Sequence, residues 1–177
     1  EAIDAHQPAL IYLAYPNNPT GNLFEPAAIR AILDAAPGIV VLDEAYQPYT
    51  AGATWMAELA QYEHMAVMRT VSKLGLAGLR LGYLAASKSL AEQLDKVRMP
   101  YNINVLTQVA AQFCLEHADD WQNQADLLCV ERENLTAEIR KCGYLAYPSA
   151  ANFVLFKAEQ ADALFMRLKE QGVLIKN

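Results

Sequence analysis

Lys73 is the residue whose neighbours in the sequence best suit it to act as a nucleophile. It follows an apolar, β-like run from Met65 to Val71 and precedes a turn of small residues. An amine at the end of a strand is partly removed from water, and desolvation lowers the pKa of an amine from its reference value of about 10.4, which favours the nucleophilic form. Most lysines are solvated surface cations, so the hypothesis depends on the residues placed around Lys73.

Polar side chains follow three runs that we expect to be strands. In chain order they are Asn18 and Thr20, Asp43 and Tyr46, and Ser72 and Lys73. Ligands of open α/β sheets bind beyond the carboxyl ends of the strands, and parallel strands bring those ends to one edge. Each group also has a simpler explanation: Asn18 to Gly21 as a tight turn, Asp43 as a helix cap, Tyr46 as core packing and Arg80 as a surface cation. Those explanations leave the combined chemistry unaccounted for.

Together these groups are the set that the ring of pyridoxal phosphate requires. The aldehyde of this cofactor needs a primary amine, which Lys73 supplies. Its pyridine nitrogen needs a carboxylate such as Asp43 to stay protonated, because only the pyridinium form withdraws electrons well enough to stabilise a carbanion. The ring oxygen needs neutral donors, which Asn18 and Tyr46 provide.

The phosphate group of the same cofactor would be met by hydroxyls and a guanidinium. Thr70, Ser72 and Arg80 offer these groups within eleven positions of the chain. Charge-assisted hydrogen bonds from a guanidinium are well suited to a phosphate dianion. Metal binding has little support, since the three histidines are far apart and the three cysteines lack CxxC or CxxH spacing.

The elements that must position these residues read as an α/β fold with a mostly parallel sheet. Apolar runs predict strands at Ala9 to Ala14, Ile39 to Leu42, Met65 to Val71 and Leu79 to Ala85. The unbroken first run is typical of a strand buried on both faces. Apolar residues at helical spacing after Pro26 predict a helix between the first two strands. The connection before the fourth strand is too short for a helical crossover, so we expect that strand to be antiparallel to the third.

The remainder of the chain predicts helices and the beginning of a second unit. Ser87 or Ser89 is expected to cap a helix that ends near residue 98, and a further helix is expected over residues 105–116. Residues 119–142 read as one helix about 36 Å long, with an apolar stripe interrupted at Arg132. A strand around 152–156, a helix around 160–171 and a strand at 173–175 follow. We therefore predict a large-domain part at 1–118, an interdomain helix at 119–142 and the start of a small α+β domain at 143–177.

Three motifs in this order resemble those of fold-type I pyridoxal-phosphate aminotransferases of class I/II. They are PNNPTG at 16–21, DEAY at 43–46, and SK at 72–73 followed by GLRLGY at 78–83. Within them, YPNNPTG, RTVSK at 69–73 and PSAANFVL at 148–155 are most similar to the histidinol-phosphate aminotransferase subfamily. The resemblance covers the whole chain, but the chain covers only about half of such an enzyme. It implies part of the three-layer large domain, followed by the start of the small domain.

The resemblance also implies a role for each site residue. It makes Lys73 the catalytic residue, as the Schiff-base partner of the cofactor and the general acid/base. The cofactor-binding residues that it implies are Lys73 itself, Asp43 at the ring nitrogen, Asn18 and Tyr46 at the ring oxygen, and Ser72, Arg80 and Thr70 at the phosphate. It implies a cis Asn18–Pro19 bond as well. One departure is that the arginine follows the lysine by 7 residues (80 − 73), where relatives often have one more.

The resemblance implies transamination between an amino donor and a 2-oxo acid, most simply L-histidinol phosphate and 2-oxoglutarate in histidine biosynthesis. Two alternatives remain open. One is a pyridoxal-phosphate lyase such as a threonine-phosphate decarboxylase, which shares the equivalents of Asp43, Lys73 and Arg80. The other is a non-catalytic truncated piece that kept the scaffold. Relatives are homodimers, so a homodimer is expected for the full-length protein.

The composition fits a soluble globular protein of the cytoplasm. The 177 residues are 54% hydrophobic and 19% charged, with a net charge of −6 and a pI near 5.0. An acidic balance argues against a nucleic-acid groove or a polybasic membrane surface as a partner. No apolar run reaches the length of a membrane span.

Overall fold

The computed structural model describes residues 1–177 as a mixed α/β fold with a four-stranded sheet and a two-stranded sheet. The helices are α1 (Ala2–His6), α2 (Pro26–Ala35), α3 (Lys88–Val97), α4 (Val105–Glu116), α5 (Ala118–Lys141) and α6 (Ala161–Glu170). The strands are β1 (Leu10–Ala14), β2 (Ile39–Asp43), β3 (Met65–Thr70), β4 (Gly82–Ala86), β5 (Leu145–Ala146) and β6 (Phe156–Lys157). The predicted fold class, α/β with a mostly parallel sheet, is confirmed.

The four-stranded sheet has the order β1-β2-β3-β4. The first three strands are parallel, and β4 runs antiparallel to β3, as the short connection predicted. At the carboxyl edge, Asp43 lies between Ala14 of β1 and Met68 of β3 in the register of the sheet. The segments that follow β1, β2 and β3 therefore start from one edge, which is the premise on which the site was predicted.

The core lies on the face of the sheet that α2 covers. Pro26 supplies a fixed φ for the first turn of this helix, and Ile29 and Leu33 recur at helical spacing and are fully buried. The core cluster comprises Tyr15, Ile29, Leu33, Val40, Leu42, Trp55, Met65 and Val67. Removing this apolar surface from water is the main stabilising contribution to the sheet edge that carries the site.

The expectation that β1 is buried on both faces is wrong. Leu10 and Tyr12 are 57% and 52% exposed, whereas Ile11 and Leu13 pack against the core. Within residues 1–177, α2 covers one face of β1 and no other element covers the second face. The apolar run therefore indicates that a strand can be buried on both faces, and not that both faces are covered here.

Gly38 sets the point at which β2 begins. A Cβ atom at this position would lie 2.2 Å from the carbonyl oxygen of Ala9 and 2.6 Å from its carbonyl carbon. Both are backbone atoms at the entry to β1, and they cannot turn away as a side chain could. Glycine is therefore required for the close approach of the two chain segments that start the parallel pair.

The fourth strand begins later than the sequence predicted. Residues Ala77–Leu79 form a 3₁₀ turn, and Arg80 has a left-handed backbone with φ of 50°, so pairing with β3 starts only at Gly82. The next helix is capped by Ser87, whose side-chain oxygen accepts a hydrogen bond from the N–H of Leu90. Of the two serines proposed as the cap, Ser89 is not the one used.

The long helix α5 forms as predicted, but its apolar stripe is only partly buried. Of the stripe residues, Ala125 is buried whereas Leu128 and Leu135 are exposed, and Thr136, which lies outside the stripe, is buried. The packed face includes Arg132, which explains why the stripe was interrupted there. It contacts the 3₁₀ turns Gln47–Tyr49 and Ser72–Leu74 and the strand β5.

The two strands predicted near the C-terminus are largely absent. Pairing is limited to β5 with β6, so only Phe156 of the predicted strand 152–156 is in a strand, and residues 173–175 form none. A strand needs a neighbouring strand to share its hydrogen bonds, and within residues 1–177 no segment pairs with residues 173–175. The division into 1–118, 119–142 and 143–177 stays a prediction.

None of the helices is both long enough and apolar enough to span a membrane. The three cysteines are free thiols; Cys114 and Cys129 are half-buried and Cys142 is exposed.

Candidate active site at the carboxyl edge of the sheet

Three of the predicted site residues, Asn18, Tyr46 and Lys73, meet at the carboxyl edge of the sheet. The side-chain amide of Asn18 donates a hydrogen bond to the hydroxyl of Tyr46 at 3.1 Å. The Nζ atom of Lys73 lies 5.1 Å from the centroid of the Tyr46 ring, within the range of a cation–π interaction. The structure thus brings together an amine, a phenol and an amide that are up to 55 positions apart (73 − 18) in the chain.

The loop after β1 holds Asn18 through its own backbone. The N–H of Gly21 donates to the carbonyl of Asn17 at 2.7 Å, and the N–H of Asn17 donates to the carbonyl of Asn22 at 2.9 Å. The Asn18–Pro19 bond is cis, as the resemblance implied, and so is the Tyr15–Pro16 bond. The hydroxyl of Thr20 is used inside this loop, where it accepts from the Asn17 amide at 2.6 Å, so its role is structural.

The turn that carries Lys73 is fixed by a hydrogen bond from Tyr49. This buried tyrosine donates a hydrogen bond from its hydroxyl to the backbone carbonyl of Lys73. A phenol is already protonated at neutral pH, and burial raises the pKa of Tyr49 further above its ordinary value, so its hydroxyl can act as a donor. The sequence analysis missed Tyr49, because a donor to a backbone carbonyl leaves no pattern in the sequence.

Asp43 ends β2 with both carboxylate oxygens hydrogen-bonded. Oδ1 accepts from the N–H of Ala45 at 3.0 Å, and Oδ2 accepts from the hydroxyl of Tyr12. Partial burial and, second, this bond raise the pKa of Tyr12 to about 12. Tyr12 was also missed, although the two-residue period of β1 places it on the sheet face of Asp43 and could have identified it. No hydrogen bond joins Asp43 to Lys73.

The three residues predicted for the phosphate side line one cavity. Thr70, Ser72 and Arg80 contribute to its wall, and its volume is about 420 Å³. The hydroxyl oxygen of Thr70 lies 2.9 Å from that of Ser72 and accepts from the N–H of Ser72 at 3.1 Å. Arg80 is exposed and donates only to the carbonyl of Ala77, at 3.3 Å, and it takes part in no ion pair. Its guanidinium is therefore free to bind an anion.

A buried charge network fixes the strand ends next to this cavity. The Glu44 carboxylate, with the residue only 1% exposed, accepts from the N–H of Trp55 at 2.6 Å and from the hydroxyl of Thr54 at 2.9 Å. It also accepts two bonds from the guanidinium of Arg69, at 3.0 and 2.8 Å. Glu44 follows Asp43, and Arg69 precedes Thr70, so the pair ties the end of β2 to the end of β3 beside the site. Both residues lie inside motifs noted in the sequence, yet neither was singled out.

Arg132 connects the site to the C-terminal segment. Its Nη1 atom lies 3.3 Å from the carbonyl oxygen of Tyr49 and 2.9 Å from that of Ala151. The ring of Phe153 then packs edge-on against Tyr46, with ring centroids 5.2 Å apart. The C-terminal segment therefore forms one wall of the edge where Lys73 lies.

The assembled edge presents a primary amine, two neutral donors, a carboxylate and an anion-binding cavity. No group of three or more His, Cys, Asp or Glu side chains is placed to hold a metal ion. A primary amine can react with an aldehyde, and a guanidinium beside hydroxyls can bind an anion, so the set is suited to a small ligand that carries both an aldehyde and an anionic group.

Residues 1–177 match the family model described as aminotransferase class I and II. Histidinol-phosphate aminotransferase 2 of Nitrosococcus oceani is 50% identical over an alignment of 180 positions that covers 100% of this chain and 50% of that protein. Histidinol-phosphate aminotransferase 1 of Ralstonia nicotianae is 52% identical over 182 residues, covering 99% of this chain and 48% of that protein. The chain spans about half the length of the curated relatives it matches.

A solved structure shares the fold. The crystal structure of histidinol-phosphate aminotransferase from Sinorhizobium meliloti, in complex with pyridoxal 5′-phosphate, matches with a TM-score of 0.89 at 28% identity. The match covers 99% of this chain and 50% of that one. The arrangement of helices and strands described above is therefore that of half of a known enzyme fold.

Proposed function

Because the chain belongs to the aminotransferase class I and II family, we propose that the whole protein is a pyridoxal-phosphate-dependent aminotransferase. The proposed reaction moves an amino group from L-histidinol phosphate to 2-oxoglutarate, a step of histidine biosynthesis. The observation that carries the proposal is the meeting of Lys73 with the hydrogen-bonded pair Asn18 and Tyr46 at the carboxyl edge of the sheet. The choice of donor is supported by curated relatives named for histidinol phosphate at 50% and 52% identity.

The groups at this edge fit the ring of pyridoxal phosphate. Lys73 is free of ion pairs and is proposed as the covalent anchor. Asn18 and Tyr46 would donate to the ring oxygen. Asp43 retains unused acceptor positions beyond its two hydrogen bonds and would accept from the protonated ring nitrogen.

The cavity beside the ring position fits the phosphate group. Thr70 and Ser72 supply hydroxyls there, and Arg80 supplies an unpaired guanidinium. Arginine offers several N–H donors in a fixed geometry that matches phosphate oxygens. We therefore propose these three residues as the phosphate site.

When bound, the cofactor supplies an aldehyde that takes up the substrate amine and a pyridinium ring that draws electrons away from the substrate α-carbon. Lys73 Nζ, released when the substrate amine takes its place on the aldehyde, would accept the proton that leaves the substrate α-carbon and deliver it to the former aldehyde carbon, acting first as general base and then as general acid. Tyr46 holds the amine over its ring, and Tyr49 fixes the backbone from which it projects. Tyr46 and Tyr49 would thus keep Lys73 Nζ in the same position for both the removal and the delivery of the proton.

Borohydride trapping tests the cofactor and its anchor. The whole protein is incubated with pyridoxal phosphate, reduced and digested, and the peptide with the added mass is found by mass spectrometry. We expect the label on the peptide that contains Lys73. Lys73→Ala should remove it, and Lys88→Ala, at an exposed position of α3, should not. A folded protein without label on that peptide would overturn the proposal.

An activity measurement separates the reaction classes. With L-histidinol phosphate and 2-oxoglutarate we expect glutamate to form in step with consumption of the donor. Release of carbon dioxide from L-threonine O-3-phosphate, without glutamate formation, would instead assign a lyase. Covalent labelling with neither reaction would contradict the choice of donor and leave the cofactor assignment standing.

The domain division and the assembly are also proposed. The 24 residues of α5 span about 36 Å and contact both the Gln47–Tyr49 turn and β5, which supports a large-domain part at 1–118, a connecting helix at 119–142 and a small domain from 143. We propose a homodimer in the cytoplasm. Exposed apolar side chains on α4 support their burial against a second copy; they are Val105, Leu106, Val109, Phe113 and Leu115. Light scattering of the whole protein should give twice the protomer mass, and a monomer would refute the dimer.

A further inference from the structure

Tyr12 makes the only side-chain hydrogen bond to the carboxylate of Asp43. In the register of β1 and β2, Tyr12 pairs with Val41, and Ala14, two residues later on the same face, pairs with Asp43. The phenol therefore reaches the carboxylate of the diagonal neighbour across the strand pair. The hydrogen bond shows that the tyrosine side chain spans this diagonal of the parallel pair.

Two donors from different directions fix the orientation of the Asp43 carboxylate. The N–H of Ala45 binds Oδ1 at 3.0 Å, and the hydroxyl of Tyr12 binds Oδ2. Rotation of the carboxylate about its terminal torsion, which is soft for an aspartate, would break both bonds. An ionised carboxylate has about four acceptor positions, so lone pairs remain for a third donor.

The phenol of Tyr12 stays a donor across the pH range in which enzymes work. Partial burial and the bond to Asp43 raise its pKa to about 12. Below that pH it carries no charge that could oppose the carboxylate. It is a neutral donor placed against the group proposed to meet the ring nitrogen.

We infer that Tyr12 is a positioning residue that holds Asp43 in the orientation in which its free lone pair accepts the N–H of a protonated heteroaromatic ring. This inference rests on the proposed function, because it needs a ring nitrogen to be bound by Asp43. The simpler role, a contact that only steadies the pairing of β1 with β2, makes a different prediction. A purely structural contact affects all ligands of the site alike, whereas a positioning residue matters only for ligands that carry the ring nitrogen.

The experiment compares two ligands and two tyrosine variants of the whole protein. The ligands are pyridoxal phosphate and its 1-deaza analogue, in which carbon replaces the ring nitrogen, and their dissociation constants are measured by equilibrium dialysis. Tyr12→Phe removes only the hydroxyl. Tyr62→Phe is the control, because Tyr62 packs against the core cluster away from the carboxyl edge.

Tyr12→Phe is expected to weaken the binding of pyridoxal phosphate by about tenfold, the effect of losing one hydrogen bond to a charged group. Binding of the deaza analogue should change less than about twofold on the same reasoning, and Tyr62→Phe should change neither constant. In the double variant Tyr12→Phe/Asp43→Asn, the loss should not exceed that of Asp43→Asn alone, since Tyr12 acts through Asp43.

Two outcomes would overturn the inference while the proposed function stands. One is an unchanged affinity of Tyr12→Phe for pyridoxal phosphate. The other is an equal loss for both ligands, including the case in which the variant does not fold. A wild-type protein that binds no pyridoxal phosphate would instead overturn the proposed function, and the inference with it.

Discussion

Replacement of Arg69 by methionine should destabilise the protein by about 3–5 kcal/mol, the range for leaving one partner of a buried ion pair alone. The Glu44 carboxylate accepts four hydrogen bonds, and two of them come from the Arg69 guanidinium. The Glu44 side chain has no exposed surface and that of Arg69 is 22% exposed. After the substitution the carboxylate, which has no exposed surface, would keep its bonds from Thr54 and Trp55 but lose its counter-charge.

A matched pair in the same chain provides the control. The guanidinium of Arg30 also binds a carboxylate through two atoms, at 3.1 and 2.7 Å from Glu58, but the two side chains are 49% and 20% exposed. Exposed pairs contribute about 0–1 kcal/mol, and the Arg30 guanidinium also lies 5.4 Å from the centroid of the Trp55 ring, a contact of about 0.5–1 kcal/mol at exposed sites. Arg30→Met should therefore cost about 1–2 kcal/mol, which is less than the cost of Arg69→Met. Glu44→Gln combined with Arg69→Met should recover part of the loss, since the uncompensated charge is gone.

Urea unfolding of the whole protein measures these differences as shifts of the midpoint at unchanged m-value. Hydrogen exchange of the Trp55 amide provides a local measurement, because this N–H donates to Glu44 at 2.6 Å. It should exchange faster in Arg69→Met and not in Arg30→Met. Equal costs for the two arginine variants would refute the argument that burial, rather than two-point geometry, determines the contribution of the pair.

Further outcomes follow from single positions. Gly38→Ala should destabilise the protein by about 1–3 kcal/mol, because the added Cβ meets backbone atoms; Gly78→Ala, with open space, should cost little in the same urea assay. Ser87→Ala should cost about 1 kcal/mol through loss of the helix cap, whereas Ser89→Ala should be nearly neutral. The pKa of Tyr12, raised from 10.0 to about 12, favours the folded state below pH 10, and that contribution should be lost as the pH rises from 10 to 12. Tyrosinate absorbance at 295 nm, titrated in wild type and in Tyr12→Phe, should differ by one group that ionises near pH 12. A difference that instead ionises near pH 10 would contradict this prediction.

The sheet and the convergence at its edge could be predicted because they depend on patterns that repeat. Apolar runs locate β2 and β3. Parallel pairing of these two strands is then sufficient to bring Asp43 and Lys73 to the same edge of the sheet. The same reasoning fails for Leu10 and Tyr12, because an apolar run reports that a strand can be buried and not that something covers it. It fails again at 173–175, where the pattern of a strand is present and the pairing neighbour is not.

The supports of the site could not be predicted in the same way. Tyr49 and Arg132 act on backbone carbonyls, and every residue has a carbonyl, so nothing in the sequence marks the acceptor. The gap at Arg132 in the apolar stripe was visible, but its meaning depended on knowing what α5 packs against. Tyr12 differs from these two, since strand alternation alone places it on the face of Asp43.

The antiparallel pairing of β3 with β4 bears on how many residues can separate Lys73 from Arg80. Thr70 and Gly82 face each other in the register, so residues 71–81 form a loop with both ends tied by strand pairing. Chain-closure entropy would oppose a one-residue change in this loop only weakly, since even a doubling of loop length adds about 0.6 kcal/mol. The larger cost lies in the contacts that order the loop, because Tyr49 donates to the carbonyl of Lys73 and the N–H of Val71 donates to the carbonyl of Leu81. A change in the spacing of Lys73 and Arg80 would therefore disturb those contacts and the position of the guanidinium before it disturbed the pairing of β3 with β4.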